Sequence, residues 1–243
     1  ESRWNNHISP ALGSKDMASI SLIDVEDFKA SLLKKGLSPQ TVVHNLNTLR
    51  RIYRKLTAWE LYDGRIPTNG VEWPGLDNFR LRYLSPSEAR GLLDALRAIS
   101  EQWYRISFLS LHTGMRLGEV VALRSGDVDL SARLVNIKDA KAGTRAGFLT
   151  ETVARELEGF VPAKKGVLLF PARSGEVITD KSKTFVRVVD ALELNAGVTD
   201  RRDKVVFHTL RHTFGSWAAQ RGVPLQVIAE LMGHDTITIT KRY

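Results

Sequence analysis

The chain has 243 residues, 43% of them hydrophobic and 26% charged, a composition typical of soluble globular proteins. No apolar run reaches the roughly 18 residues that a membrane helix needs, so we expect no membrane insertion. Cysteine is absent, which excludes disulfides, thiolate metal sites and a cysteine nucleophile. Without a charged-then-apolar leader at Glu1, we expect a cytoplasmic protein. The 35 Lys and Arg residues against 27 Asp and Glu residues give a net charge of +8, which favours a polyanionic partner, most often nucleic acid.

The first third of the chain carries helical patterns. Residues 23–33 place Val25, Phe28 and Leu32 on one helix face. Ser38 and Pro39 then predict the N-cap and first position of a second helix. This helix contains a group of closely spaced basic residues, Arg50, Arg51, Arg54 and Lys55. They form either a solvated charged face or a surface that contacts DNA phosphates.

Helical periodicity disappears over residues 63–82, where Gly and Pro residues indicate a domain linker. A new helix is predicted at Ser85, with Pro86 at its first position and Glu88 completing a capping box. Residues 134–137, a turn signal at 142–144 and residues 148–150 predict a β-hairpin. Helical patterns return over residues 152–160, 181–194, 210–221 and 225–232.

The predicted fold is therefore mainly α. It comprises an all-helical domain over residues 1–80 and a second domain over residues 81–243, mixed α/β but mostly helical, with a small antiparallel sheet.

Two separate segments offer cations for an anionic ligand. Arg116 follows Gly114 at a predicted helix start, where a guanidinium lies near exposed backbone N–H groups and suits an anion. The alternative is a simple ion pair with Glu119. Lys141 lies at the predicted hairpin turn, where a side chain can reach a ligand, although a turn lysine is often only solvated.

Two further segments carry histidines. His208 and Arg211 are three residues apart and share a helix face, an arrangement of base and cation that suits phosphoryl transfer, although His208 can instead be structural. His208 and His212 are spaced as metal ligands, but no acidic residue completes a motif, so we predict no metal site. Finally, His234 follows a Gly that can be a helix C-cap, and Tyr243 lies nine residues later.

Taken in order, these segments resemble the tyrosine recombinase family, the phage-integrase type of site-specific recombinase. The family has an Arg in a TGxRxxE segment, a hairpin Lys, an HxxR pair, a His or Trp after a Gly, and a nucleophilic Tyr. The matching residues are Arg116, Lys141, His208, Arg211, His234 and Tyr243, with Glu119 as the acidic residue after the first Arg. Lys138 is also near the turn, but the register against the following Gly favours Lys141.

The resemblance implies two transesterifications through a 3′-phosphotyrosyl intermediate. Tyr243 would attack phosphorus, and His208 would accept its proton. Lys141 would protonate the leaving 5′-oxygen. Arg116 and Arg211, with a hydrogen bond from His234, would bind the non-bridging oxygens, and Glu119 would orient Arg116 or His208.

The resemblance also implies a site-specific DNA recombinase or integrase that needs no cofactor or metal. Its partner would be double-stranded DNA, on which it would form a homotetramer, with a monomer when free. The first third resembles the core-binding domain of the family. A type IB topoisomerase and a catalytically silent DNA-binding regulator are the alternatives. Family members usually continue past the tyrosine into a tail that docks on a neighbour, so we expect a chain ending at Tyr243 to bind DNA but recombine poorly.

Overall fold

The computed structural model describes residues 2–76, 82–139, 143–179, 183–234, 236–241 and 243. The chain separates into two units, Glu1–Asn78 and Phe79–Tyr243. The division lies within a few residues of the expected domain ranges, 1–80 and 81–243.

In the described part of the N-terminal unit, every regular element is a helix or a helical turn. These are a π-helical turn (Trp4–Ile8), α1 (Ser9–Leu12), a 3₁₀ turn (Met17–Ser19), α2 (Leu22–Lys34), α3 (Pro39–Ala58) and a 3₁₀ turn (Pro67–Gly70). The predicted cap at Ser38 is confirmed, because its side chain accepts a hydrogen bond from the Thr41 amide. The core forms where Leu32 of α2 meets Leu46 and Tyr53 of α3, all fully buried.

Apart from the 3₁₀ turn at Pro67–Gly70, the described part of the predicted linker over residues 63–82 is irregular, but much of it packs on the N-terminal unit. Val71 is buried in the core of that unit, and Trp73 packs against the same core. The backbone of Glu72 accepts a hydrogen bond from Lys29 and donates one to the carboxylate of Glu26. Residues up to about 73 are therefore part of the N-terminal unit, and the linker prediction was wrong for them.

The second unit combines helices with a small sheet. Its helices are α4 (Pro86–Ile99), α5 (Glu101–Thr113), α6 (Leu117–Val121), α7 (Glu151–Leu157), α8 (Lys183–Ala191), α9 (Phe207–Gln220), α10 (Leu225–Met232) and α11 (Ile237–Thr240). A 3₁₀ turn (Ser125–Asp127) precedes β1 (Val128–Asp129), β2 (Leu134–Asp139) and β3 (Gly143–Phe148), which form an antiparallel sheet in that order. The predicted mainly helical fold with a hairpin is confirmed.

Local signals explain how these elements start. Ser85 accepts a hydrogen bond from the Glu88 amide, and the Glu88 carboxylate accepts one from the Ser85 amide, so the predicted capping box of α4 is confirmed. In the hairpin, Ile137 pairs with Arg145 and Lys138 with Thr144. Of the described helices, none has both the length and the apolar character needed to span a bilayer.

Helix α5 is the central element of the second unit and directs its C-terminus toward the candidate site. It packs against α4 and α9, and Ile106, Leu109 and Leu111 are almost completely buried. Helix α9 is fixed on the same core by Leu210 and by Thr213, whose hydroxyl accepts a hydrogen bond from the Leu84 amide. Helix α9 is thereby fixed to Leu84, just before α4, and it also packs directly against α5.

Candidate active site

Two glycines shape the backbone at the centre of the site. Gly114 ends α5 with a φ of +70°, and a Cβ there would lie 2.6 Å from the Phe214 ring. Gly233 ends α10 with a φ of +62°, and a Cβ there would lie 2.7 Å from Nε of Arg145. Only glycine fits both the left-handed backbone and the close contact. The carbonyls of both residues consequently lie in the site, where arginines bind them.

Arg211 of α9 is buried and held by neutral acceptors. Its side chain is 1% exposed, Nη1 donates to the Gly114 carbonyl at 2.6 Å, and Nη2 donates to the Met232 carbonyl at 2.5 Å. Burial, followed by the charge of Arg116, lowers the pKa of Arg211 to about 10. The side chain is still charged at neutral pH. A desolvated guanidinium bound to uncharged carbonyls is well suited to attract an anion.

Arg116 lies at the N-cap of α6 beside Arg211. Its Nη2 donates to the Gly233 carbonyl at 3.0 Å, next along the chain from the Met232 carbonyl that holds Arg211. Its Nη1 donates to Oε1 of Glu119 at 2.7 Å, and its side chain is 38% exposed. Two consecutive carbonyls at the end of α10 therefore bring two guanidiniums together.

Glu119 is the buried anion of the site, and it contacts a cation that the sequence analysis missed. Its carboxylate accepts two hydrogen bonds from Arg116 and two from Arg145 of β3. Burial alone would raise the pKa of Glu119, but the bonds and charges of Arg145 and Arg116 outweigh it, and the pKa is lowered. The sequence feature that could have pointed to Arg145 is its position in the hairpin, four residues after Lys141. Spacing alone does not reveal that its partner is Glu119.

Tyr243 lies against α9 and beside His234, which follows the end of α10. Its hydroxyl shares a 3.0 Å hydrogen bond with Nδ1 of His212, and its ring lies so close to Gly215 that a Cβ there would be 2.7 Å away. The His234 ring is nearly parallel to the Tyr243 ring, with centroids 6.4 Å apart, and its Nδ1 is 2.7 Å from the Thr240 hydroxyl. His234 and Tyr243, nine residues apart in the sequence, are therefore neighbours in the structure.

The histidines of α9 differ from the sequence-based expectation in one respect. We predicted His208 as the acceptor of the tyrosine proton, whereas in the structure the Tyr243 hydroxyl shares a hydrogen bond with His212, one turn along the helix. His208 is exposed, and its ring contacts His212 edge to face, with centroids 4.8 Å apart. In the sequence, the spacing of His212 from His208 indicated only a metal site as its alternative role. The described residues contain no group of three or more His, Cys, Asp or Glu suited to hold a metal ion.

The predicted lysine lies outside the described residues, so the structure gives no position for Lys141. The alternative, Lys138 of β2, forms an ion pair with Asp127 at 2.6 Å and has a side chain that is 63% exposed. That pair directs Lys138 to the 3₁₀ turn before β1.

The predicted DNA-binding residues of α3 belong to the N-terminal unit. Arg51, Arg54 and Lys55 are exposed. Arg50 is half-buried, and its guanidinium lies over the Trp73 ring at 5.7 Å. Three of the four basic side chains are therefore on the surface of this unit.

Comparisons with known proteins identify the family. Residues 82–243 match the model of the phage integrase family. A tyrosine recombinase of Pseudothermotoga lettingae is 26% identical, with 94% of this chain and 79% of the relative covered. The tyrosine recombinase XerC of Staphylococcus carnosus is 27% identical, with 93% and 78% covered.

Solved structures show the same fold. The Tn1549 transposon integrase in complex with transposon right end DNA has a TM-score of 0.82 at 20% identity, covering 100% of this chain and 86% of that chain. A lambda integrase dimer bound to a COC′ core site has a TM-score of 0.78 at 16% identity, covering 98% and 87%. With two adjacent arginines beside a tyrosine and a family match over nearly the whole second unit, the chain belongs to the phage integrase family and is a tyrosine-type site-specific recombinase.

Proposed function

We propose that the chain cuts and rejoins double-stranded DNA through a covalent bond between Tyr243 and a 3′-phosphate. The observation that carries the proposal is the pairing of Arg116 and Arg211 on the consecutive carbonyls of Met232 and Gly233, with the Tyr243 hydroxyl held nearby by His212. Two adjacent guanidiniums match the non-bridging oxygens of one phosphodiester and stabilise the charge of its pentavalent state.

In the first transesterification, Tyr243 Oη attacks phosphorus and forms the phosphotyrosyl bond while the bond from phosphorus to the 5′-oxygen breaks. The phenol proton passes to a histidine of α9, for which His208 is the predicted acceptor and His212 is the residue that holds the phenol in the structure. Lys141 gives a proton to the leaving 5′-oxygen. His234 adds a hydrogen bond to the phosphate oxygens.

In the second transesterification, the 5′-hydroxyl of another strand gives its proton to Lys141 and attacks the same phosphorus, and the bond from phosphorus to Tyr243 Oη breaks. Tyr243 regains its proton from the histidine of α9. The energy of the phosphodiester bond is conserved in the protein–DNA link, so no nucleotide cofactor is needed. Glu119 does not touch the phosphate in this scheme but orients Arg116 through the bonds described above.

The partners follow from the same scheme. Related structures include a lambda integrase tetramer bound to a Holliday junction, and we propose a homotetramer on DNA for this chain, with a monomer when free. The N-terminal unit would act as the core-binding domain, with Arg50, Arg51, Arg54 and Lys55 near DNA phosphates. The absence of cysteine supports a cytoplasmic location.

Substitution of the nucleophile tests the proposal. Tyr243→Phe should abolish the denaturation-resistant protein–DNA adduct on a nicked trapping substrate but leave DNA binding nearly unchanged. Tyr83→Phe is a matched control in the same unit, because it also removes a bonded hydroxyl, the one that accepts from Gln220. An adduct that persists in Tyr243→Phe would refute the proposal. Relaxation of a supercoiled plasmid that lacks a target site would instead indicate an activity of the type IB topoisomerase kind.

A further inference from the structure

Arg145 forms a two-bond pair with the buried carboxylate of the site. Its Nη1 donates to Oε1 of Glu119 at 2.8 Å, and its Nη2 donates to Oε2 at 2.9 Å. The Arg145 side chain is 18% exposed and that of Glu119 is 5% exposed. Water therefore has little access to replace these bonds, and the planar guanidinium fixes the plane of the carboxylate.

The same carboxylate positions Arg116. Oε1 of Glu119 accepts from Nη1 of Arg116 at 2.7 Å, and Oε2 accepts from the Arg116 amide at 2.8 Å. Each oxygen of Glu119 thus takes one bond from each arginine. If Arg145 were removed, the carboxylate would be held by one arginine alone, and the orientation of Arg116 would be less restricted.

Arg145 also lies beside Gly233, the second residue that binds Arg116. Its guanidinium lies against Gly233, where an added Cβ would be 2.8 Å from Cζ. The carbonyl of Gly233 accepts the bond from Nη2 of Arg116. The Glu119 carboxylate, which binds Arg116, is therefore bonded to Arg145, and Gly233, whose carbonyl binds Arg116, lies beside Arg145.

We propose that Arg145 is a positioning residue for the cleavage reaction, acting through Glu119 and Gly233 to hold Arg116 in line with the phosphate. The inference rests on the proposed function. Because reactant positioning is sensitive to displacements of about 1 Å, loss of Arg145 should slow cleavage by about a hundredfold. Arg145 itself need not touch DNA, so binding should be unaffected.

The test compares single-turnover adduct formation at saturating DNA with DNA affinity in the full chain. Arg145→Ala should form the adduct about a hundredfold more slowly, with unchanged affinity. Arg145→Lys keeps the charge and one bond and should recover part of the rate. Arg97→Ala is the control for loss of an arginine ion pair away from the site, because Arg97 pairs with Glu156 in the same unit through a more exposed contact.

A double substitution separates positioning from an independent role. If Arg145 acts through Arg116, the Arg145→Ala/Arg116→Ala variant should cleave no more slowly than Arg116→Ala, measured with radiolabelled DNA over long times. A loss equal to the product of both single losses would overturn the inference, as would a wild-type rate in Arg145→Ala. If Arg145→Ala does not fold, Arg145→Lys alone and combined with Arg116→Ala gives the same comparison. An unmodified chain that forms no adduct would refute the proposed function itself, which the Arg145 variants alone cannot do.

Discussion

Gly114 is the position where a single methyl group should be most damaging, because two separate effects add. An alanine there would keep a φ of +70°, and the left-handed region costs an L-residue about 1–2 kcal/mol. Its Cβ would lie 2.6 Å from the Phe214 ring, and overpacking of this kind costs about 1–3 kcal/mol. We therefore expect Gly114→Ala to lower the free energy of unfolding by about 2–5 kcal/mol, out of the roughly 5–15 kcal/mol typical of a domain.

The assay must report on the second unit alone, because a whole-chain signal would mix the two units. Hydrogen exchange across a urea series, read in peptides of α5 and α9, meets this need. With a urea dependence of about 2 kcal/mol/M, the midpoint should fall by about 1–2.5 M. Gly118→Ala is the control, since that glycine is exposed and has open space around it, and it should be neutral or slightly stabilising. A loss below about 1 kcal/mol in Gly114→Ala would refute the reasoning.

The chemistry of the site gives two further predictions. Cleavage should proceed in EDTA, because Arg116 and Arg211 supply the positive charge that a metal would otherwise supply, and a strict need for added Mg²⁺ would contradict this. Lys141→Ala should cleave normal DNA slowly but a 5′-bridging sulfur substrate at a near-normal rate, since a thiolate leaves without a proton. Lys138→Ala should behave like the unmodified chain, because Lys138 is paired with Asp127. If the sulfur substrate rescued Lys138→Ala instead, the general acid would be Lys138 and not Lys141.

The features that the sequence predicted well are those set by neighbouring residues. The caps at Ser38 and Ser85 depend on groups three positions away, and the structure has both bonds. The hairpin depends on a β-rich run followed by a turn signal, and strands β2 and β3 pair as expected. His208 and Arg211 both lie on α9 as predicted, but the pattern did not reveal that Arg211 is buried while His208 is exposed.

The features that the sequence could not predict depend on contacts between distant segments. Arg145 binds Glu119 across 26 positions, and Tyr243 bonds to His212 across 31, so no local pattern relates the partners. The segment around Val71 lacks periodicity because backbone bonds to α2, rather than an amphipathic face, hold it on the N-terminal unit. Motifs predicted the residues of the candidate site, but the contacts that support those residues required the structure.

The buried Glu119 carboxylate should make the second unit sensitive to acid in a way that one substitution can isolate. The folded state holds the pKa of Glu119 below its ordinary value, so the unfolded state binds the proton more readily. Stability from Glu119 is then fully present above the unfolded pKa, near 4.3, and is lost as pH falls through the lower folded pKa. Glu119→Gln keeps the shape but removes the negative charge that faces Arg116 and Arg145, and should cost about 3 kcal/mol at pH 7. The difference in unfolding free energy between the two proteins should shrink below about pH 4.

Other carboxylates with lowered pKa values, such as Glu88, are common to both proteins and cancel in that difference. A difference that stays constant from pH 7 to pH 3 would show that Glu119 does not stabilise the fold through its charge.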